Sequence, residues 1–210
     1  MGLFERKRSV SRLVDQDIQT IKQQLDAMLD IARSYDRTMS SAGLLTISLE
    51  GRMRGDLLAF TLYLAGADKS IKLQEVEVVN RIFDIDLSHV DFELFRKDVG
   101  DANFERAIPP SVLILKELGK RLEAEHAADA GPTKVARTLC DDLINVYALI
   151  GSALLSADGQ VSESESADLV RYLIMISEAA LGTGAALPKG AAQRTLAAHE
   201  RLFGKLRMPR

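Results

Sequence analysis

Two ten-residue stretches hold the side chains with the clearest chemical potential: GADKSIKLQE, residues 66–75, and SADGQVSESE, residues 156–165. Each sets an Asp seven positions before a Glu, with an aliphatic residue, Ile71 or Val161, three after the Asp. Asp68, Glu75, Asp158 and Glu165 are hard oxygen donors, and no thiolate or imidazole cluster competes with them. That donor set suits a hard divalent cation such as Ca2+. Asp158, Gly159, Val161 and Glu165 also fit four places in the second half of an EF-hand loop. The first and third ligand places would fall on Leu154 and Ser156. Leucine cannot ligate through its side chain, so a standard EF-hand is excluded, and a cation would need carboxylates from the other stretch.

The same residues admit a metal-free role. Ser162-x-x-Glu165 is a capping-box sequence, in which Glu165 reaches back to a backbone N–H and binds no ion. Asp158 and Gly159 suit the turn before it. In the first stretch Lys72 stands at the cap position. Lysine is not an N-cap residue, so a capping box leaves Glu75 unexplained and favours a role shared by both Asp/Glu pairs. Lys69, in place of the glycine, adds positive charge beside Asp68 and weakens a cation site there.

Helices must position these turns. From about Leu13 to Arg37, Val14, Ile18, Ile21, Leu25, Met28, Ala32 and Tyr35 recur in steps of four and three, an apolar seam on a polar helix. Ser40, Ser41 and Gly43 break it. Further helices are expected from about Leu44 to Gly66, over LQEVEVVNRIFDI, in a short acidic region that Ser88 caps, and from Pro109–Pro110 to about Glu125. Then come helices from about Val135 to Ser156 and Glu163 to Leu181, and a last basic helix from about Ala191. No run alternates with the period of a strand. The expected fold is an all-α bundle of about eight helices. Residues 1–39 form an N-terminal amphipathic extension, 40–185 the main domain, and 186–210 a C-terminal basic helix. The constant offset of 90 positions between the two stretches, with Arg81 and Arg171 also aligned, predicts an internally duplicated helix–turn–helix.

The doubled pattern Ala-Asp-Gly-x-Val-Ser-x-x-Glu, ending one apolar helix and opening the next, resembles the TerB-like (tellurite-resistance protein B) family over roughly Leu44 to Leu181. SADGQVSESE is close to it, and GADKSIKLQE departs from it at the glycine and serine. The resemblance implies an all-α fold with acidic motif residues on one face. It implies a non-enzymatic, divalent-cation-responsive binding or scaffold module in a bacterial stress-response or tellurite-resistance type assembly near the inner membrane. Carried over, the metal ligands would be Asp158 and Glu165, then Asp68 and Glu75. The alternative is a metal-free helical adaptor for protein partners.

Other classes are disfavoured. The 210 residues carry a net charge of -3, which makes nucleic acid a poor partner. His89, His126 and His199 lie far apart, and no phosphate-binding glycine loop or nucleophile elbow is present, so an enzyme is not expected. The lone cysteine, Cys140, reads as a packed thiol in a reducing compartment. LINVYALIGSALLSA is shorter than the roughly 18 residues of a membrane span and reads as a core helix. With no secretory signal in view, the expected location is cytoplasmic. The basic ends, with Arg6, Lys7, Arg8 and Arg12 beside Leu3 and Phe4, and with Arg201, Lys205, Arg207 and Arg210, are candidates for weak contact with an anionic inner-membrane surface. Protein partners are expected, and a homo-oligomer stays open.

Overall fold

The structure, a computed structural model, describes residues 3–43, 48–65, 70–99, 108–126, 135–157 and 163–182; of residues 3–14, 98–99, 122–123, 125–126, 135–137 and 163–164 it describes the backbone alone. These residues form seven α-helices and no strand: α1 (Leu3–Ser41), α2 (Leu49–Ala65), α3 (Leu73–Phe83), α4 (His89–Val99), α5 (Pro110–His126), α6 (Val135–Ser156) and α7 (Glu163–Leu181). The expected basic helix near Ala191 lies outside the described residues.

The leading helix starts at Leu3, ten residues before the expected start at about Leu13. Charged residues such as Glu5, Arg6 and Lys7 are good helix formers and extend a helix without any apolar face. The seam itself faces the core: Ile18, Ile21, Leu25, Met28 and Ala32 are buried, with Leu29 beside them and Tyr35 packed at the margin. Gly43 closes the helix at φ +70, a left-handed conformation open to glycine at no steric cost.

Two helices organise the rest. α6 packs against α1, α2, α3, α5 and α7, and α2 touches all six other helices. Both are apolar on more than one side, as a helix covered on several sides must be. Leu143, Ile144, Val146, Tyr147, Ala148 and Ile150 in α6 are all fully buried. By length and composition, Thr138–Ser156 is long enough to cross a membrane; at 19 residues it exceeds the run read from the sequence. In the fold most of that window is buried among the other helices.

Several helix ends are held by side chains from other helices. Asp36 of α1 accepts the Leu49 N–H at 2.7 Å, the Glu50 N–H at 3.1 Å and the Ser48 hydroxyl at 2.6 Å. It thus caps the start of α2 together with Ser48, whose Oγ accepts the Gly51 N–H. Asp56 of α2 accepts the Ser111 N–H at 2.8 Å in the first turn of α5. Lys116 of α5 donates to the Ala179 carbonyl at 2.6 Å, near the end of α7. Each places charge where the helix dipole favours it, acid at an N-terminus and base at a C-terminus.

Candidate functional site

The first Asp/Glu turn enters α3 through Lys72, whose backbone is extended (φ -99, ψ 149). The Glu75 carboxylate accepts the Lys72 backbone N–H at 2.8 Å. This corrects the expectation that a lysine at the cap position leaves Glu75 without a capping role. The glutamate half of a capping box needs only a backbone N–H at the N-cap, and any residue except proline supplies one. What lysine cannot do is the other half, because an ammonium has no lone pair to accept the N3 N–H. The Glu75 N–H instead lies 3.1 Å from the Lys72 carbonyl, which also accepts from Val76. Ile71 is buried just ahead of the cap, and its carbonyl meets His89 Nε2 at 2.8 Å, tying the turn to α4.

Glu165 stands at the matching place. α7 begins at Glu163, so Glu165, like Glu75, is the third residue of its helix. The two are buried to the same degree, 3% and 4% exposed. Asp68, Asp158 and the cap position Ser162 lie outside the described residues. Among the described residues no group of three or more His, Cys, Asp or Glu side chains is placed to hold a metal ion. Glu75 already spends one oxygen on a backbone N–H. On the described residues alone, the donors fall short of the six to eight oxygens that calcium takes.

Other carboxylates and amides do similar work. Ser88 and Asp91 form a full reciprocal box at the start of α4: Asp91 Oδ2 accepts the Ser88 N–H at 2.8 Å, and Ser88 Oγ accepts the Asp91 N–H at 3.3 Å. The Ser88 hydroxyl and backbone N–H together hold the Asp91 carboxyl below its usual range. Asn80 clasps the α3–α4 link, donating to the Leu87 carbonyl at 2.8 Å and accepting the Leu87 N–H at 3.0 Å. Asp84 ends α3 in a left-handed conformation at φ 52. Burial alone would raise the Asp36 carboxyl, but hydrogen bonds from Ser48, Leu49 and Glu50 outweigh it and hold the carboxyl low.

The centre of the bundle is aromatic. Phe60 of α2 stacks on Tyr172 of α7 with ring centroids 4.8 Å apart, and meets Tyr147 of α6 edge-on at 5.1 Å. Tyr147 and Ser111 have buried hydroxyls with no well-formed hydrogen bond, although the Tyr147 phenol is close enough to Ser111 and Tyr172 to feel both. Burial, the neighbouring phenol and Asp56 push Tyr147 well above the usual tyrosine range, and burial followed by Asp56 does the same to Tyr172. Both phenols therefore stay protonated at neutral pH. Cys140 is 2% exposed, and burial, followed by Asp141, pushes its thiol up to about 11. A thiol so raised carries almost no thiolate at pH 7 and is a packing group rather than a nucleophile.

Sequence reasoning missed Asp36, Asp56, Asn80 and Lys116. Asn80 had a local signal, standing one turn before the acidic break. The other three act on helix ends far along the chain, and nothing in their own neighbourhoods marks them.

The outer side of α3 and α4 is different. Leu73 is 71% exposed, Val90 64%, Leu94 55% and Phe95 46%. An open groove runs along α3 and its link to α4, lined by Leu73, Val76, Asn80, Arg81, Ile85 and Asp86 among others. Compared with family models, with curated proteins and with solved structures, the chain finds no match in any of the three.

Proposed function

We propose that this chain is a non-enzymatic helical adaptor that binds protein partners through the outer face of α4 and the adjoining start of α3. The observation that carries this reading is the exposure of Val90 and Leu94 on α4, on the side opposite Phe92, which is fully buried. A short helix that is apolar on both sides fits one that packs on its own core with one face and on a partner with the other. The described polar groups with chemical potential point the same way. Glu75, Asp36, Asp56 and Asp91 accept hydrogen bonds at helix starts, while Cys140, Tyr147 and Tyr172 are buried with their protons held.

A second reading is the cation-responsive scaffold that the TerB-like resemblance implies, in a stress-response or tellurite-resistance type assembly. What favours it is the equivalence of Glu75 and Glu165, each buried at the third position of a helix that follows an Ala-Asp pair in the sequence.

Site-specific photo-crosslinking tests the adaptor reading. A crosslinking residue placed at Leu94 should give discrete crosslinked species in the cell, while the same residue at Ile174, 43% exposed on α7, should give none. Equal yields at the two positions would remove the case for α4.

A further inference from the structure

The charge pattern along α4 specifies a partner. Successive residues on a helix are turned by about 100°, so Leu94 lies about 200° round the axis from the buried Phe92. Val90 lies one turn behind Leu94. Glu93 and Lys97, also one turn apart, form the adjacent row. The outward face of α4 is thus an apolar row beside a row that is acidic at one end and basic at the other. Neither Glu93 nor Lys97 is engaged in an ion pair among the described residues. Asp91 stands in the first turn of the helix, and Arg96 and Lys97 stand in its last, followed by Asp98.

A helix of this pattern is complementary to itself when reversed. We infer that the partner of this face is a second copy of the chain, with α4 packed antiparallel on its counterpart about a two-fold axis near Leu94. In that arrangement Glu93 of each copy meets Lys97 of the partner subunit, so the two-fold makes the ion pair twice. The two Leu94 side chains meet at the centre, and the antiparallel helix dipoles attract. In a parallel two-fold pair the rows of Glu93 and Lys97 would lie on opposite sides of the contact, and these ion pairs would not form. This inference rests on the reading of α4 as a docking face and names its occupant.

Sedimentation equilibrium on the full chain tests it. The wild type should show a monomer–dimer equilibrium in the micromolar range. Leu94→Glu would bury two like charges at the axis and should raise the dissociation constant by about 100-fold or more. Glu93→Lys and Lys97→Glu should each raise it about tenfold, because each turns two attractions into repulsions. The double variant Glu93→Lys/Lys97→Glu should return it close to wild type. All of these positions are exposed or half-buried, and circular dichroism should confirm that each variant keeps its helices. A wild type that stays monomeric, a dimer indifferent to Leu94→Glu, or a double variant no tighter than the singles would each overturn self-pairing. The crosslinker at Leu94 separates this failure from failure of the adaptor reading. Crosslinks between copies support both, crosslinks only to a different protein overturn self-pairing alone, and no crosslinks overturn both.

Discussion

The two helix–turn–helix units, α2–α3 and α6–α7, share a local design and differ in what surrounds them. Both open the second helix with a buried glutamate at its third position. In α6, Gly151 lets α7 approach so closely that a Cβ there would lie 2.4 Å from Leu169 Cδ1. Ninety positions earlier stands Thr61, whose hydroxyl turns back on its own helix and donates to the Leu58 carbonyl at 2.6 Å. The aligned arginines diverge in the same way. Arg171 pairs within its own helix with Asp168, whereas Arg81 reaches Asp15 of α1 at 2.7 Å, next to the pair that Lys22 of α1 makes with Asp84. In the second unit the two helices pack closely on each other at Gly151, and α6 also packs on α5 and α1. The first leans on α1 and α4 and turns Leu73 out to solvent. The comparison teaches that a buried glutamate at the third helix position belongs to the local pattern, while the surfaces a unit offers to others depend on its neighbours.

Removing α1 should break this arrangement most severely. Ile18, Ile21, Leu25, Met28 and Leu29 are at most 4% exposed, and at about 2 kcal/mol each their loss approaches the whole stability of an ordinary domain. Deleting residues 1–38 would also take away Asp15, Lys22 and the Asp36 cap. The truncated chain should lack a cooperative thermal transition and should aggregate. Retention of the wild-type melting temperature would show that the first unit does not depend on α1.

Gly151→Val should come next, because overpacking against Leu169, itself fully buried, costs about 3 kcal/mol. Thr61→Val at the aligned position loses one hydrogen bond and should cost about 1 kcal/mol. Denaturant titration compares the two directly. Leu169→Ala should recover part of the Gly151→Val loss and be destabilising on its own, a non-additivity expected only of residues in contact. Similar costs at positions 61 and 151 would erase the distinction between a pair of helices in close contact at that position and a looser one.

The Asp36 cap is a smaller effect with a pH signature. Its carboxyl is held below the usual range in the folded chain. The stabilisation is therefore fully present above the unfolded value of about 3.9 and is lost as pH falls through the lower folded value. Asp36→Asn should cost about 1 kcal/mol at neutral pH. The difference between wild type and variant should narrow below about pH 4. A difference independent of pH would mean that the carboxylate charge contributes nothing at the start of α2.

Local spacing made much of this legible. The seam from Ile18 to Ala32 identified the buried side of α1, the Ser88–Asp91 spacing gave a cap, and the Ser162-x-x-Glu165 pattern put Glu165 in the first turn of a helix. The start of α2 was not legible, because its cap comes from Asp36, 12 residues before Ser48 and on another helix. Asp56 and Lys116 act across 55 and 63 residues, a separation at which composition and periodicity carry no information about which helix end lies nearby. The exposed row of Val90 and Leu94 has the i, i+4 spacing of a buried face. Sequence cannot say which of two apolar sides of a short helix meets its own core. Of the four proposed ligands, Glu75 and Glu165 are placed, and Asp68 and Asp158 fall outside the described residues.

The smallest expected effects decide what the paired glutamates do. If both are caps, Glu75→Gln and Glu165→Gln should each cost well under about 1 kcal/mol, because glutamine also accepts the N-cap N–H. Glu75→Ala should cost about 1 kcal/mol, because it strips the Lys72 N–H of its partner. The two Gln variants should then behave alike, despite the different surroundings of the two units. A shared cation site predicts another pattern. Calcium would bind the folded chain alone, and a tenfold excess over its dissociation constant would add about 1.4 kcal/mol. Either Gln variant, and Asp158→Asn, would then lose the whole of that gain. Thermal melts of the wild type and the three variants, with and without excess calcium and then magnesium, separate the cases. The adaptor reading expects no shift with either ion in any of the four proteins. A calcium-dependent rise in the wild type that Asp158→Asn abolishes would move the cation-responsive scaffold into first place and give the repeated turns a common ligand.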